Sequence, residues 1–190
     1  MTQAVRIESL LDTRSASFES PFSMLEACHE RVARSLALLQ RLRTHLQAQG
    51  VDDDARQAAR DILRYFDIAA PAHHQDEELH VFPVLLARGP QAVHAAVQRL
   101  HQDHLRMHAA WQQARAVLQT LADGSGAVPD AHGGAVLTAG QEAVLDGFAG
   151  LYADHIRLEE DEVYPQARAL LDGAAMAAMG HEMMRRRGAG

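Results

Sequence analysis

Cysteine and tryptophan each occur once in this 190-residue chain, tyrosine occurs three times, and no run of apolar residues is long enough to cross a bilayer. Each shortage excludes something. A lone Cys28 has no intramolecular disulfide partner and no apolar signal segment opens the chain, so a reducing cytoplasm is the expected compartment. A transmembrane helix needs about 18 consecutive apolar residues, so no membrane association is expected. Positive charge is not concentrated either. The formal charge is −7, the isoelectric point is near 5.9, and the one basic run is Arg185 to Arg187. Binding to nucleic acid requires a basic patch, so no nucleic-acid partner is expected. No segment sustains the alternation of a β-strand, which leaves helices to build the core.

Histidine, by contrast, is abundant, with 12 residues in the chain. Several of these lie inside helical patterns. Residues 1–18 form a lead-in with little periodicity. Helix one opens with Ser20 as N-cap and Pro21 in the first turn and closes on Gly50. Its stripe Phe22, Leu25, His29, Val32, Leu36 and Leu39 recurs at the spacing of one packed face. Helix two begins at the acids 52–54 and ends at Gly89-Pro90. Its internal Pro71 and Pro83 are expected to kink or locally break it. Helix three, from about Gln91 to Ala122, carries Val97, Leu100, His104, Met107, Trp111, Ala114 and Leu118 on one face. Thr138 and Gln141 have the spacing of a capping box for helix four, which is expected to reach about Leu171. The Met-rich, basic tail over residues 173–190 forms a short fifth helix. These features predict an all-α fold, an antiparallel up-down four-helix bundle over residues 19–172 with the fifth helix packed on it.

An internal repeat carries the chemistry. Moved along by 82 residues, HHQDEELHVFP falls on HIRLEEDEVYP, which aligns His73 with His155, Glu77 with Glu159, Glu78 with Glu160 and Pro83 with Pro165. Helices one and three match as well, placing His29 on His104. Each half therefore supplies one lone histidine followed by H-x-x-x-E. Residues four apart share a helix face, so an imidazole and a carboxylate can converge on one point. A carboxylate in a dry seam is costly unless a cation or hydrogen bonds compensate it, and two metal ions would do so. Imidazole and carboxylate without thiolate favour iron or manganese, with zinc or copper as alternatives. A ferritin-like site would need E-x-x-H on two helices and a lone Glu on each of the other two. Glu26 to His29 and Glu77 to His80 have that spacing, but helix three offers no Glu and helix four no histidine after its acids.

The order His, H-x-x-x-E, His, H-x-x-x-E, with each E-E pair leading to V-F-P or V-Y-P, resembles the hemerythrin-like HHE cation-binding family over roughly residues 20–170. The resemblance implies a four-helix bundle with a non-haem di-iron centre, oxo- or hydroxo-bridged. It implies His29, His73, His104 and His155 as iron ligands and Glu77 and Glu159 as bridges. Oxygen-carrying hemerythrins have a further histidine four residues on in helix three, where His108 stands, and His108 is included as a fifth histidine ligand. Those carriers end with H-x-x-x-x-D. Here Glu159 stands four residues after His155 and Glu160 five, which is closer to the HHE branch with its iron-sulfur repair and sensing proteins. The expected function is therefore binding or sensing of O2, NO or peroxide. The alternatives are a di-iron enzyme reducing NO or peroxide or aiding cluster repair, and a metal store or structural metal protein, with zinc or manganese in place of iron.

His74 and His80 are placed on a solvated face, and Glu78, Glu160 and Glu162 are solvated or accept from ligand imidazoles. His101, three residues before His104, can also approach that face. His94 and His132 are surface residues, and His181 belongs to the tail. Cys28 points about 100° away from His29 around the helix and is read as a small packed residue. Tyr152, three residues before His155, is the better placed of the two tyrosines 65 and 152 to reach the centre.

Overall fold

A computed structural model of the chain describes residues 18–124, 128–129 and 135–188. Helix α1 (Pro21–Gln49) starts with a proline, whose missing amide would have no partner in a first turn, although Ser20 makes no side-chain cap. It stops where Gly50 turns to a φ of 77°, closing its N–H on the Leu46 carbonyl at 3.0 Å. Helix α2 covers residues 53–88 and is capped by the Asp52 carboxylate, which accepts from the Ala55 N–H at 2.9 Å. It does not end at either internal proline. Each proline follows a five-residue π-turn, Tyr65–Ala69 and Glu77–Val81, in which the N–H of Ala70 or Phe82 reaches back to Tyr65 or Glu77. The wider turn absorbs the amide that proline lacks, so the helix expands where a break was expected.

Helix α3 (Gln91–Ala122) is uninterrupted. Helix α4 spans residues 139–170 and opens on the Thr138 and Gln141 capping box, with both reciprocal bonds present. It is less regular than the single helix expected. A turn at residues 150–151 divides Ala139–Ala149 from Tyr152–Leu158, in a stretch weakened by Gly140, Gly147 and Gly150, and a third π-turn, Glu159–Val163, precedes Pro165. Helix α5 (Gly173–Arg186) is capped by Asp172. In the α3–α4 connection a two-residue antiparallel ladder pairs Val128 with Val136 and Pro129 with Ala135. His132 and nearly all of the lead-in lie outside the described residues.

The bundle has two apolar cores. One contains Val32, Leu39, Ile62, Phe66, Met107, Trp111, Leu118, Phe148 and Tyr152, and the other Leu25, Val81, Phe82, Leu85, Val97, Leu100, Val163, Tyr164, Met179 and Met183. Along α1 and α3 the chain passes from the second core to the first, and along α2 and α4 it passes from the first to the second. The four long helices are therefore antiparallel neighbours in up-down order. Between the cores, every helix crosses the same level with polar residues: His29 between Leu25 and Val32, His73 and Glu77 between Ala70 and Val81, His104 between Leu100 and Met107, and His155 and Glu159 between Tyr152 and Val163.

Candidate metal centre

That polar layer is dry. His29, His73, His104 and His155 are each at most 4% exposed, and Glu77 and Glu159 are fully buried. The spacing read from sequence explains why they meet, since each H-x-x-x-E pair spans about one helical turn and aims both groups inward. Both glutamates are also the first residue of a π-turn, Glu77–Val81 and Glu159–Val163, which keeps the 82-residue repeat visible in the backbone.

Two groups of potential ligand atoms form within the layer. His29, His73, Glu77 and Glu159 make one, and His74, His104 and His155 the other, the atoms within each group lying within 4.8 Å of one another. The carboxylates face both groups. Glu77 sets Oε1 3.5 Å from His73 Nε2 and Oε2 3.4 Å from His104 Nε2. Glu159 sets Oε2 3.1 Å from His29 Nε2 and Oε1 3.0 Å from His155 Nε2. Five buried atoms that point into this space, Glu77 Oε2, Glu159 Oε1 and Oε2, His104 Nε2 and His155 Nε2, have no hydrogen-bond partner. Buried polar atoms are normally satisfied, so a convergent set of unsatisfied nitrogens and carboxylate oxygens fits a cation.

The outer nitrogens are anchored in pseudo-symmetric fashion. Glu160 Oε1 accepts from His29 Nδ1 at 2.7 Å, and Glu78 Oε1 accepts from His104 Nδ1 at 2.8 Å. Each lone histidine is thus oriented by the acid that follows the carboxylate of the opposite pair, which turns its Nε2 inward. The symmetry fails at Phe82 and Tyr164. Phe82 stacks beside His104 at a centroid distance of 5.5 Å, whereas its repeat partner Tyr164 stacks on His29 at 5.6 Å and donates its hydroxyl to Glu77 Oε1.

The titration behaviour follows from burial and charge. Burial lowers the His29 pKa, but Glu159, Glu77 and Glu160 outweigh it and carry the group up to about 9. His104 is likewise opposed by burial, yet rises to about 11 through Glu159, Glu77 and Glu78. Burial, together with the Glu159 charge, raises Glu77 to about 7. Glu159 is pushed up by burial, but the adjoining imidazoles of His104, His155 and His29 hold it well below its usual range. Burial, reinforced by neighbouring imidazoles, keeps His73 and His74 neutral, with pKa values well below 6.5. Without a metal ion, the two buried carboxylates are matched by two imidazolium protons.

Residues 20–167 match the model of the hemerythrin HHE cation binding domain. The chain belongs to that family. A protein of Haemophilus influenzae, itself described as uncharacterized, is 31% identical over 172 residues, which cover 90% of this chain and 92% of that one. As a member of the hemerythrin HHE family the chain is a metal-binding helical bundle, and the dry layer is where a cation fits.

Within this hemerythrin-family layer the structure gathers six of the seven residues singled out in the sequence: His29, His73, Glu77, His104, His155 and Glu159. His108 lies outside both groups, exposed on α3 one turn beyond His104, where it lines a small cavity with His74. His74 takes a place in the second group, its ring stacked on His104 with centroids 4.0 Å apart. Read as solvated, it was missed because neighbours on a helix point about 100° apart. Here that divergence aims His73 at α1 and His74 at α3 and α4. His101 lies outside the layer, lining a surface groove with Leu79, Phe82 and Leu86. Tyr152 packs against Phe66 and Phe148 and lines a cavity with His74. Among the described residues no helix is long and apolar enough to span a membrane.

Proposed function

We propose that the layer holds two iron ions, one on His29 and His73 and the other on His74, His104 and His155, with Glu77 and Glu159 bridging them, and that this centre binds or senses O2, NO or peroxide. The observation that carries the reading is the orientation of the carboxylates, each of which offers one oxygen to each histidine group. The donor set of imidazole and carboxylate without thiolate suits iron, with manganese or zinc as alternatives. Two ferrous ions so held would supply two electrons and coordination for a small ligand.

The chain's own residues support a ligand of that size. Beside His74 lies a cavity of about 50 Å³ lined largely by Phe66, Ala70, Met107, Trp111 and Tyr152, with His108 also at its wall. Such a volume admits a diatomic molecule or peroxide. Its apolar walls favour O2 and NO over ions. On the opposite side, the Tyr164 hydroxyl holds a proton at Glu77 Oε1. A buried proton donor at the bridge favours, as the second reading, reduction of peroxide to water, which consumes two electrons and two protons. Protein loaded anaerobically with ferrous iron and titrated with O2 or NO separates these readings. Reversible optical changes indicate binding, and sustained consumption of an added reductant indicates turnover. No optical response to O2, NO or peroxide contradicts both.

A further inference from the structure

Helix α5 begins after the residues that match the family, yet it reaches the back of the metal layer. Asp76, the residue before Glu77, is fully buried, and its carboxylate is held from the tail. Arg186 pairs with Oδ1, and Arg187 Nη2 lies 2.6 Å from Oδ2. One turn along α2, His80 Nε2 sits 3.1 Å from Glu182 Oε2, and Glu182 is also 3.8 Å from Arg186. Arg187 is folded back by a bond to the Met183 carbonyl at 3.1 Å. At the other end of the contact, Gly180 approaches so closely that a Cβ there would come within 1.9 Å of the Phe18 carbonyl oxygen.

The tail therefore fastens to the residue that immediately precedes Glu77, and it packs on α1, the helix that carries His29. A buried carboxylate is tolerated only where cationic partners are held in place. The two arginines fix Asp76, and with it the start of the π-turn Glu77–Val81 on which Glu77 sits. We propose that α5 is a clasp on the metal centre: Arg186 and Arg187, acting through Asp76, position Glu77 and control how tightly the His29 and His73 half retains its metal. This rests on reading His29, His73 and Glu77 as ligands. The arginines touch no ligand and are positioning residues.

The test uses full-length protein loaded with cobalt(II), comparing wild type with Arg186→Gln Arg187→Gln, with Asp76→Asn, and with the triple variant. Release to a chelator and the cobalt visible bands are followed at a temperature where circular dichroism shows each variant folded. Residues that orient metal ligands typically change metal affinity by about 10–100-fold, so one of the two metals should leave at least about tenfold faster in the arginine variant. Asp76→Asn should match it, and the triple variant should add nothing, because all three break the same contact. The Arg186→Lys Arg187→Lys pair should restore most of the retention, and Arg187→Gln alone replaces the glutamine pair if that does not fold. Wild-type release and unchanged cobalt bands in folded variants overturn the clasp alone. A wild-type chain that takes up no metal overturns the ligand reading and the clasp together.

Discussion

Loading the centre should expel protons, and the number follows from the charge balance of the layer. His29 and His104 hold their protons to about 9 and about 11 because burial is outweighed by the carboxylates around them. A metal-bound imidazole is neutral at the coordinating nitrogen, so metal must displace both. Glu77, at about 7, is mostly ionised in mildly alkaline solution and adds a fraction of a proton. Chelator-stripped protein at about pH 7.5 should therefore release about two protons per chain on filling, and the apparent affinity of the pair of metals should rise by up to about a hundredfold per pH unit up to pH 9. Stability of the stripped protein should move the opposite way. His29 and His104 have folded pKa values above their unfolded value, so they stabilise the fold fully below about pH 6.5 and lose that contribution as pH rises through about 9 and then about 11. Zinc titration in weakly buffered solution with a pH indicator, paired with urea unfolding between pH 7 and 9, measures both. Release of less than about one proton per chain, or a stripped protein that gains stability over that range, would refute the charge balance.

Three further outcomes are expected. Tyr164→Phe removes a buried donor to a carboxylate and should destabilise the stripped protein by about 1.5–3 kcal/mol in urea unfolding; an unchanged midpoint would show that the hydroxyl does not support Glu77. His74→Ala should lose one of the two metals by elemental analysis while His108→Ala keeps both, and the reverse pattern would restore His108 to the site. Gly180→Ala forces a Cβ against the Phe18 carbonyl and should cost about 1–3 kcal/mol of stability; a neutral effect would mean that α5 is not seated closely there.

The helical architecture was legible because apolar residues keep helical spacing while the chain reverses at Gly50, at Gly89-Pro90 and in the loop before Thr138. The layered site was legible through duplication, since one histidine in an apolar stripe is ambiguous and four in register with two carboxylates are not. Less was visible where geometry departs from the ideal helix. Pro83 and Pro165 each stand six residues after a buried glutamate, and that repeated spacing was the signal for two π-turns, of which the one before Pro83 was read as a kink or break and the one before Pro165 was not expected. His74 was hidden because a single-face reading allows only one of two adjacent residues to point inward, whereas a helix bordering two neighbours can aim both. The pairing of Asp76 with Arg186 and Arg187 joins residues about 110 apart and leaves no periodic trace.

The central claim is that the layer between the two cores binds a pair of metal ions through residues drawn from both halves of the repeat. Metal per chain, measured by elemental mass spectrometry on protein produced with iron supplementation, tests it most directly when wild type is compared with a His73→Ala His155→Ala variant. About two irons per wild-type chain are expected, lost in the variant. No bound metal, or equal metal in the two proteins, would contradict it.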